Sequence, residues 1–167
     1  MINRLPVLLI AASLGAAPLL AQNVLAQNVL AQGTDAAATA LNRARLQNAV
    51  FVVMPGVIQG NVNLISKDQQ VAMVAAIAHD SVNALKRRYP GAQITGDANT
   101  PGAIKLIPVL LAPGALVPWA SVGAQWTLKA AGQPDLTVSQ KFNLFEAYSH
   151  KDETFNYMFD KVAGQLP

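Results

Sequence analysis

The chain has 167 residues, a formal net charge of +3 and no cysteine. The length fits one ordinary domain plus a targeting segment, and the lack of cysteine excludes disulfides, a cysteine nucleophile and acylation at an N-terminal cysteine. Hydrophobic residues make up 52% and charged residues 13%, but much of the apolar excess lies in the first 31 residues and in scattered alanines. Residues 106–119, LIPVLLAPGALVPW, fall short of the roughly 20 apolar residues of a spanning helix.

The N-terminus has the three parts of a secretory signal peptide. Arg4 is followed by an uncharged apolar run, residues 5–20, and then by the stretch LLAQNVLAQNVLAQ. This stretch offers alternative cleavage sites after Ala21, Ala26 and Ala31, so the repeated unit QNVLA is interpreted as a duplicated cleavage site. Residues 1–31 are therefore predicted to be a signal peptide, and the protein to be periplasmic or secreted.

The alternative to cleavage is an uncleaved amphipathic or membrane-anchoring helix. Pro6 and Pro18 argue against it, although membrane contact stays open as a hypothesis. Of the 12 basic side chains only Arg4 lies in this segment, so its removal changes the balance against 9 acidic side chains from +3 to +2. Such a dispersed charge does not suit a nucleic-acid partner.

The first predicted elements are a lead-in, a buried strand and a long helix. Residues 32–47 are predicted to be flexible or helical, and a single domain is predicted over residues 48–167. AVFVVMPG is a continuous apolar run typical of a strand buried on both faces, and a polar loop is expected from there to Ile65. Ser66 and Gln69 form a capping-box pattern that starts a helix, which ends at Pro90. Its predicted apolar stripe is Val71, Val74, Ala75, Ala78, Val82, Leu85 and Tyr89.

The second half of the chain alternates with the period of strands. After the short strand AQIT, residues 104–111 predict a strand at a sheet edge or bulged at Pro108. Residues 119–131 and 136–145 predict an antiparallel hairpin, and a helix capped near Ser149 is expected to close the core. The order predicts an α+β fold, a two-layer sandwich with two helices on one face of a mixed sheet of about four to five strands, β-α-β-β-β-β-α.

No motif in the sequence indicates catalysis or cofactor binding. His79 lies off the apolar stripe, and His150 with Asp152 and Glu153 offers too few ligands for a structural metal site. No G-x-G-x-x-G or G-K-[ST] pattern is present. We therefore expect no catalytic residue, no metal and no cofactor.

Two features indicate binding. The connection from Pro108 to Trp119 is unusually apolar for a loop, so Pro113, Leu116, Val117 and Trp119 are predicted to contact a partner, with Trp119 on the sheet face opposite Trp126. Lys86, Arg87 and Arg88 are the only basic cluster. They suit the negative end of the helix, and anion binding is the weaker alternative.

VFVVMPG, a long helix ending in ALKRRYP, the hairpin ASVGAQWTLKAAGQPDLTVSQKFNLFEAY and a closing helix ending in GQLP together resemble periplasmic envelope-assembly domains. These are the TolB N-terminal, curli-secretion and transport-auxiliary lipoprotein group, and the likeness covers residues 48–167. It implies binding in the cell envelope rather than catalysis. This chain lacks the lipobox cysteine common in several of those families.

The expected function is an exported, non-enzymatic binding or accessory module of the bacterial cell envelope. Its partner would be an envelope protein or a second copy of the chain. The alternative is a small periplasmic hydrolase or isomerase whose acidic residues meet only in the fold.

Overall fold

The computed structural model describes residues 41–167, so the predicted signal peptide and the lead-in up to residue 40 lie outside the described residues. The strands are β1 (Val50–Val53), β2 (Val57–Gly60), β3 (Gln93–Thr95), β4 (Ile104–Ala112), β5 (Ser121–Lys129) and β6 (Leu136–Asn143). The helices are α1 (Arg43–Gln47), α2 (Lys67–Arg88), α3 (Leu144–Ser149) and α4 (Thr154–Ala163), with short 3₁₀ turns at Val62–Leu64 and Lys151–Glu153.

The strands form one six-stranded mixed sheet in the order β3-β1-β4-β5-β6, with β2 also paired to β4. β1 is parallel to β3 and β4, β2 is parallel to β4, and β5 is antiparallel to both of its neighbours, β4 and β6. The predicted α+β class with a mixed sheet is confirmed. Within residues 41–167, no helix is both long and apolar enough to cross a bilayer.

Two strand predictions were wrong. The segment expected to be a polar loop contains β2, whose Val57 pairs with Val109 of β4. β4 is a central strand rather than an edge. Pro108 lies between the residues of β4 that pair with β1 (104–106) and those that pair with β2 (109–112), so its missing N–H falls where the neighbouring strand changes.

The capping box of α2 is confirmed, but its buried face differs from the predicted stripe. The Ser66 hydroxyl accepts from the Gln69 amide at 3.3 Å, and the Ser66 amide donates to the Gln69 side chain at 3.1 Å. Val71, predicted to be buried, is 72% exposed. The fully buried residues of the helix are Ile77, Ser81, Ala84 and Leu85. The predicted stripe omits Ile77, Ser81 and Ala84 and therefore lies on a rotated face of the helix.

The buried side chains of the hairpin show where the helices lie. Val122, Ala124, Trp126 and Leu128 of β5 are all buried. The Trp126 indole stacks on Phe159 of α4 at 6.0 Å between ring centroids and donates to the Ser81 hydroxyl of α2 at 3.0 Å. Both long helices therefore contact the same side of the sheet.

The end of the hairpin and the helix after it differ from the prediction. β5 begins at Ser121 rather than at Trp119, and β6 stops at Asn143, whose side chain accepts from the Glu146 amide at 2.6 Å and caps α3. Ser149 is not a helix cap, since its hydroxyl donates to the Glu146 carbonyl. Lys151, with φ of +48°, separates α3 from α4, so the single predicted helix is two.

Candidate binding surface

The loop of residues 113–120 joins β4 to β5 and holds all four predicted partner-binding residues. Pro113 is buried and Val117 is partly buried, whereas Leu116 is 59% and Trp119 is 79% exposed. Proline at both 113 and 118 prevents a continuous run of ladder hydrogen bonds here. The chain therefore leaves the sheet and exposes two large apolar side chains.

α3 adds two exposed aromatic side chains next to this loop. Phe145 is 75% and Tyr148 is 67% exposed, and residues three apart lie on neighbouring positions of a helix surface. The Leu144 amide donates to the Ala120 carbonyl at 2.9 Å, and the Phe145 amide donates to the Pro118 carbonyl at 3.4 Å. The first turn of α3 is thus bonded to the loop that carries Trp119. We call Leu116, Trp119, Phe145 and Tyr148 the aromatic edge.

Beside the aromatic edge lies a cavity of about 380 Å³, here called the apolar groove. Its floor is formed by β4 and β5, and its walls by the first turns of α2, by α3 and by α4. The lining includes Leu64, Met73, Leu110, Val122, Phe155 and Met158, together with Pro113, Leu116 and Tyr148 from the two exposed segments. Its size lies in the range of 300–1,000 Å³ typical of small-molecule sites.

Polar contacts fix α3 against α4. The Tyr157 hydroxyl donates to a Glu146 carboxylate oxygen at 2.8 Å, and the His150 ring stacks on the Tyr157 ring with 3.6 Å between centroids. The hydrogen bond to Glu146 is the main cause that raises the pKa of Tyr157 above its ordinary value. His150, considered as a metal ligand from sequence, is thus a stacking partner of Tyr157.

The basic cluster ends α2 and contacts the last helix. The Arg87 guanidinium donates to Asp160 at 2.8 and 3.0 Å and to Asn156 at 2.5 Å. Arg88 donates to the Leu166 carbonyl at 2.5 Å, while Lys86 is exposed. Arg87 and Arg88 thus bond the end of α2 to α4 and to the residues after it, and anion binding by the cluster stays a prediction.

The titratable residues considered from the sequence lie outside the described lining of the apolar groove. Its described lining contains no Asp, Glu or His. His79 is exposed and lies 2.9 Å from Asp80 of the same helix. In residues 41–167 no group of three or more His, Cys, Asp or Glu side chains could hold a metal ion.

Sequence reasoning singled out Leu116 and Trp119, both of which are exposed, but did not single out the exposed Phe145 and Tyr148. Phe145 was assigned to the end of a strand, because the alternation of the hairpin runs on through it. The signal that could have placed it is Asn143 followed three residues later by Glu146, the pattern of a helix N-terminus. With α3 begun at Leu144, Phe145 and Tyr148 fall on the outer side of a short helix.

No protein-family model and no curated protein matches this chain. Several solved structures resemble it. The PelC dodecamer from Paraburkholderia phytofirmans is 14% identical over 76% of this chain and 89% of its own, with a TM-score of 0.44. The hypothetical protein CT253 from Chlamydia trachomatis is 10% identical over 71% of this chain and 93% of its own, with a TM-score of 0.36.

An uncharacterized protein is 11% identical over 72% of this chain and 88% of its own, with a TM-score of 0.40. At these identities and scores the likenesses concern the arrangement of helices and strands and assign no activity or partner to this chain. The resemblance to the TolB N-terminal and curli-secretion group stays a prediction.

Proposed function

We propose that this protein is an exported, non-enzymatic binding module of the bacterial cell envelope that contacts a protein partner through the aromatic edge. The observation that carries the proposal is the exposure of four large apolar side chains on two segments joined by backbone hydrogen bonds. Large apolar groups grouped at a surface are typical of interaction sites, and Trp and Tyr dominate the energy of such contacts.

The aromatic edge is built on a fixed support. α3 is held by its Asn143 cap, by the two hydrogen bonds to the loop, and by Glu146 and His150 against Tyr157 of α4. A surface whose backbone is already fixed loses less conformational entropy when it binds. This supports a preformed docking surface. An acid-based hydrolase or isomerase is the alternative hypothesis.

The test is photocrosslinking in cells from position 119, with position 71 on α2 as the matched control. Both positions carry an exposed apolar residue, but Val71 is not part of the aromatic edge. We expect a discrete adduct from position 119 and none from position 71. The mass of the adduct distinguishes an envelope protein from a second copy of this chain.

The captured partner is then measured against purified variants. Trp119→Ala is expected to weaken binding by about 2 kcal/mol or more, roughly 30-fold in Kd, because truncation of an aromatic anchor removes most of its buried contact. Val71→Ala should bind as the wild type does. Equal binding by the Trp119→Ala protein, with an unchanged urea midpoint, would contradict the proposal.

A further inference from the structure

The apolar groove offers a chemistry different from that of the aromatic edge. Its described lining is made of aliphatic, aromatic and methionine side chains, with Gln69, Thr154 and Tyr148 as the polar exceptions. No charged side chain is among the described residues that form it. A ligand that fills such a groove carries neither a charge nor a hydrogen-bonding group along the part that enters.

Two of the three polar exceptions already have partners within the protein. The Gln69 side-chain oxygen accepts from the Ser66 amide at 3.1 Å. The Thr154 hydroxyl lies within donating distance of the Ala147 carbonyl at 3.0 Å and of the Lys151 carbonyl at 2.6 Å. Because these contacts complete helix ends, the groove presents mainly carbon to a ligand.

The volume of the groove limits the size of the occupant. One turn of an α-helix is about 5.4 Å long and, with its side chains, about 10–12 Å across, which corresponds to roughly 420 Å³ or more. The groove has a volume of about 380 Å³, which is less than one such turn occupies. A single hydrocarbon chain, one methylene wide, is small enough for a space of this volume.

The walls suit a chain of this kind. Met73 on α2 and Met158 on α4 both line the groove. Methionine is unbranched and adapts its rotamers to irregular apolar contacts. The exposed Leu116 and Tyr148 border the groove on the side of the aromatic edge, where a polar head group would meet water.

We propose that the apolar groove binds one linear acyl chain, with the head group of the amphiphile left in solvent. A free fatty acid and a phospholipid share this chain chemistry, and the experiment below separates them. The inference does not depend on the proposed protein contact, because the deep residues of the groove are not part of the aromatic edge.

The experiment titrates the purified exported protein with 11-(dansylamino)undecanoic acid and follows dansyl fluorescence. Dodecanoate and lauroyl-lysophosphatidylcholine are then used as competitors, so that a preference for one of them identifies the source of the chain. We expect saturable binding, and displacement that strengthens about fourfold for each methylene added between octanoate and dodecanoate.

Two matched variants on α2 test the location. Ala72 lines the groove, whereas Ala75 is an exposed residue of the same helix outside it. Ala72→Trp should fill the groove and lower affinity at least tenfold, and Ala75→Trp should bind as the wild type does. Trp119→Ala should keep acyl binding even where it loses the protein partner.

The proposal is overturned if the wild-type protein shows no saturable binding of the dansyl probe. It is equally overturned if Ala72→Trp and Ala75→Trp bind the probe with the same affinity while both keep the wild-type urea midpoint. Failure of partner capture with retained acyl binding would count against the proposed protein contact alone.

Discussion

Trp126 places a polar atom in the middle of the core. The side chain is fully buried, and its indole N–H has the Ser81 hydroxyl of α2 as its partner at 3.0 Å. Ser81 is the one buried polar or charged residue in the described part of the chain. A buried donor without a partner loses its hydrogen bond to water without replacement. The hydrogen bond to Ser81 avoids this loss, and it therefore fixes the rotation of α2 that places Ser81 over Trp126.

Ser81→Ala is expected to lower the free energy of unfolding by about 1–3 kcal/mol, because it leaves the indole N–H without an acceptor. Urea denaturation measures the effect. The control is the same substitution in a Trp126→Phe background, where no donor remains and the cost should be smaller. An equal cost in both backgrounds would show that the hydrogen bond is not the cause.

Tyr89 carries a second buried polar group, at the end of α2. Its hydroxyl donates to the Pro167 carbonyl at 2.7 Å. Burial raises the pKa of Tyr89 above its ordinary value of 10.0, and the neighbouring Arg88 acts in the opposite direction. A pKa that is higher in the folded than in the unfolded protein gives stability that is present below about pH 10 and lost as pH rises through the folded-state value.

Tyr89→Phe is therefore expected to lower stability by about 1 kcal/mol at neutral pH, through loss of the hydrogen bond. It should also flatten the fall in stability above about pH 10, since no buried hydroxyl remains to ionise. Urea midpoints measured across that pH range test both effects. The control is Tyr157→Phe, which removes a different tyrosine. In this variant the free energy of unfolding should still fall above about pH 10 through ionisation of Tyr89.

At the scale of the elements, two serines that the sequence assigned to helix caps have different roles. Ser66 makes both hydrogen bonds of a capping box at the start of α2. Ser149 lies at the end of α3, where its hydroxyl donates to the Glu146 carbonyl at 2.6 Å. The Ser66 hydroxyl accepts a hydrogen bond from an amide at a helix N-terminus. The Ser149 hydroxyl instead donates a hydrogen bond to a carbonyl near a helix C-terminus.

Ser66→Ala is expected to cost about 1 kcal/mol in unfolding free energy, because the Gln69 amide loses its acceptor. Ser149→Ala should stay within about 0.5 kcal/mol of the wild type, as for surface substitutions in general. Thermal or urea unfolding of the two single variants makes the comparison. Equal losses would mean that the capping geometry at Ser66 does not contribute in solution.

The elements that the sequence predicts well are those set by local chemistry. The start of α2 follows from Ser66 and Gln69, and the hairpin follows from alternation along β5 and β6. β2 could not be found in this way, since it has only four residues and its pairing partner β4 is far along the chain. The rotation of α2 was missed because the buried face, with Ile77, Ser81 and Ala84, is set by tertiary packing, including the hydrogen bond from Trp126 to Ser81 across 45 positions.

At the scale of the whole molecule, the candidate site joins segments that the sequence presents separately. Composition alone singled out Leu116 and Trp119, as large apolar residues in a proline-rich loop. Phe145 and Tyr148 come beside that loop only through the hydrogen bonds between α3 and residues 118–120. The apolar groove is formed by parts of all the later helices and of two strands, and no single stretch of sequence indicates it.

β4 is hydrogen-bonded to β1 and β2 along one side and to β5 along the other. The two earlier strands thus have no common neighbour until residues 104–112 have been synthesised. Assembly of the sheet is consequently a late, cooperative event governed by long-range contacts, which slow folding. A fragment that stops before Ile104 would expose the apolar strand β1 beside only the short β3, and we expect such a nascent chain to depend on chaperones.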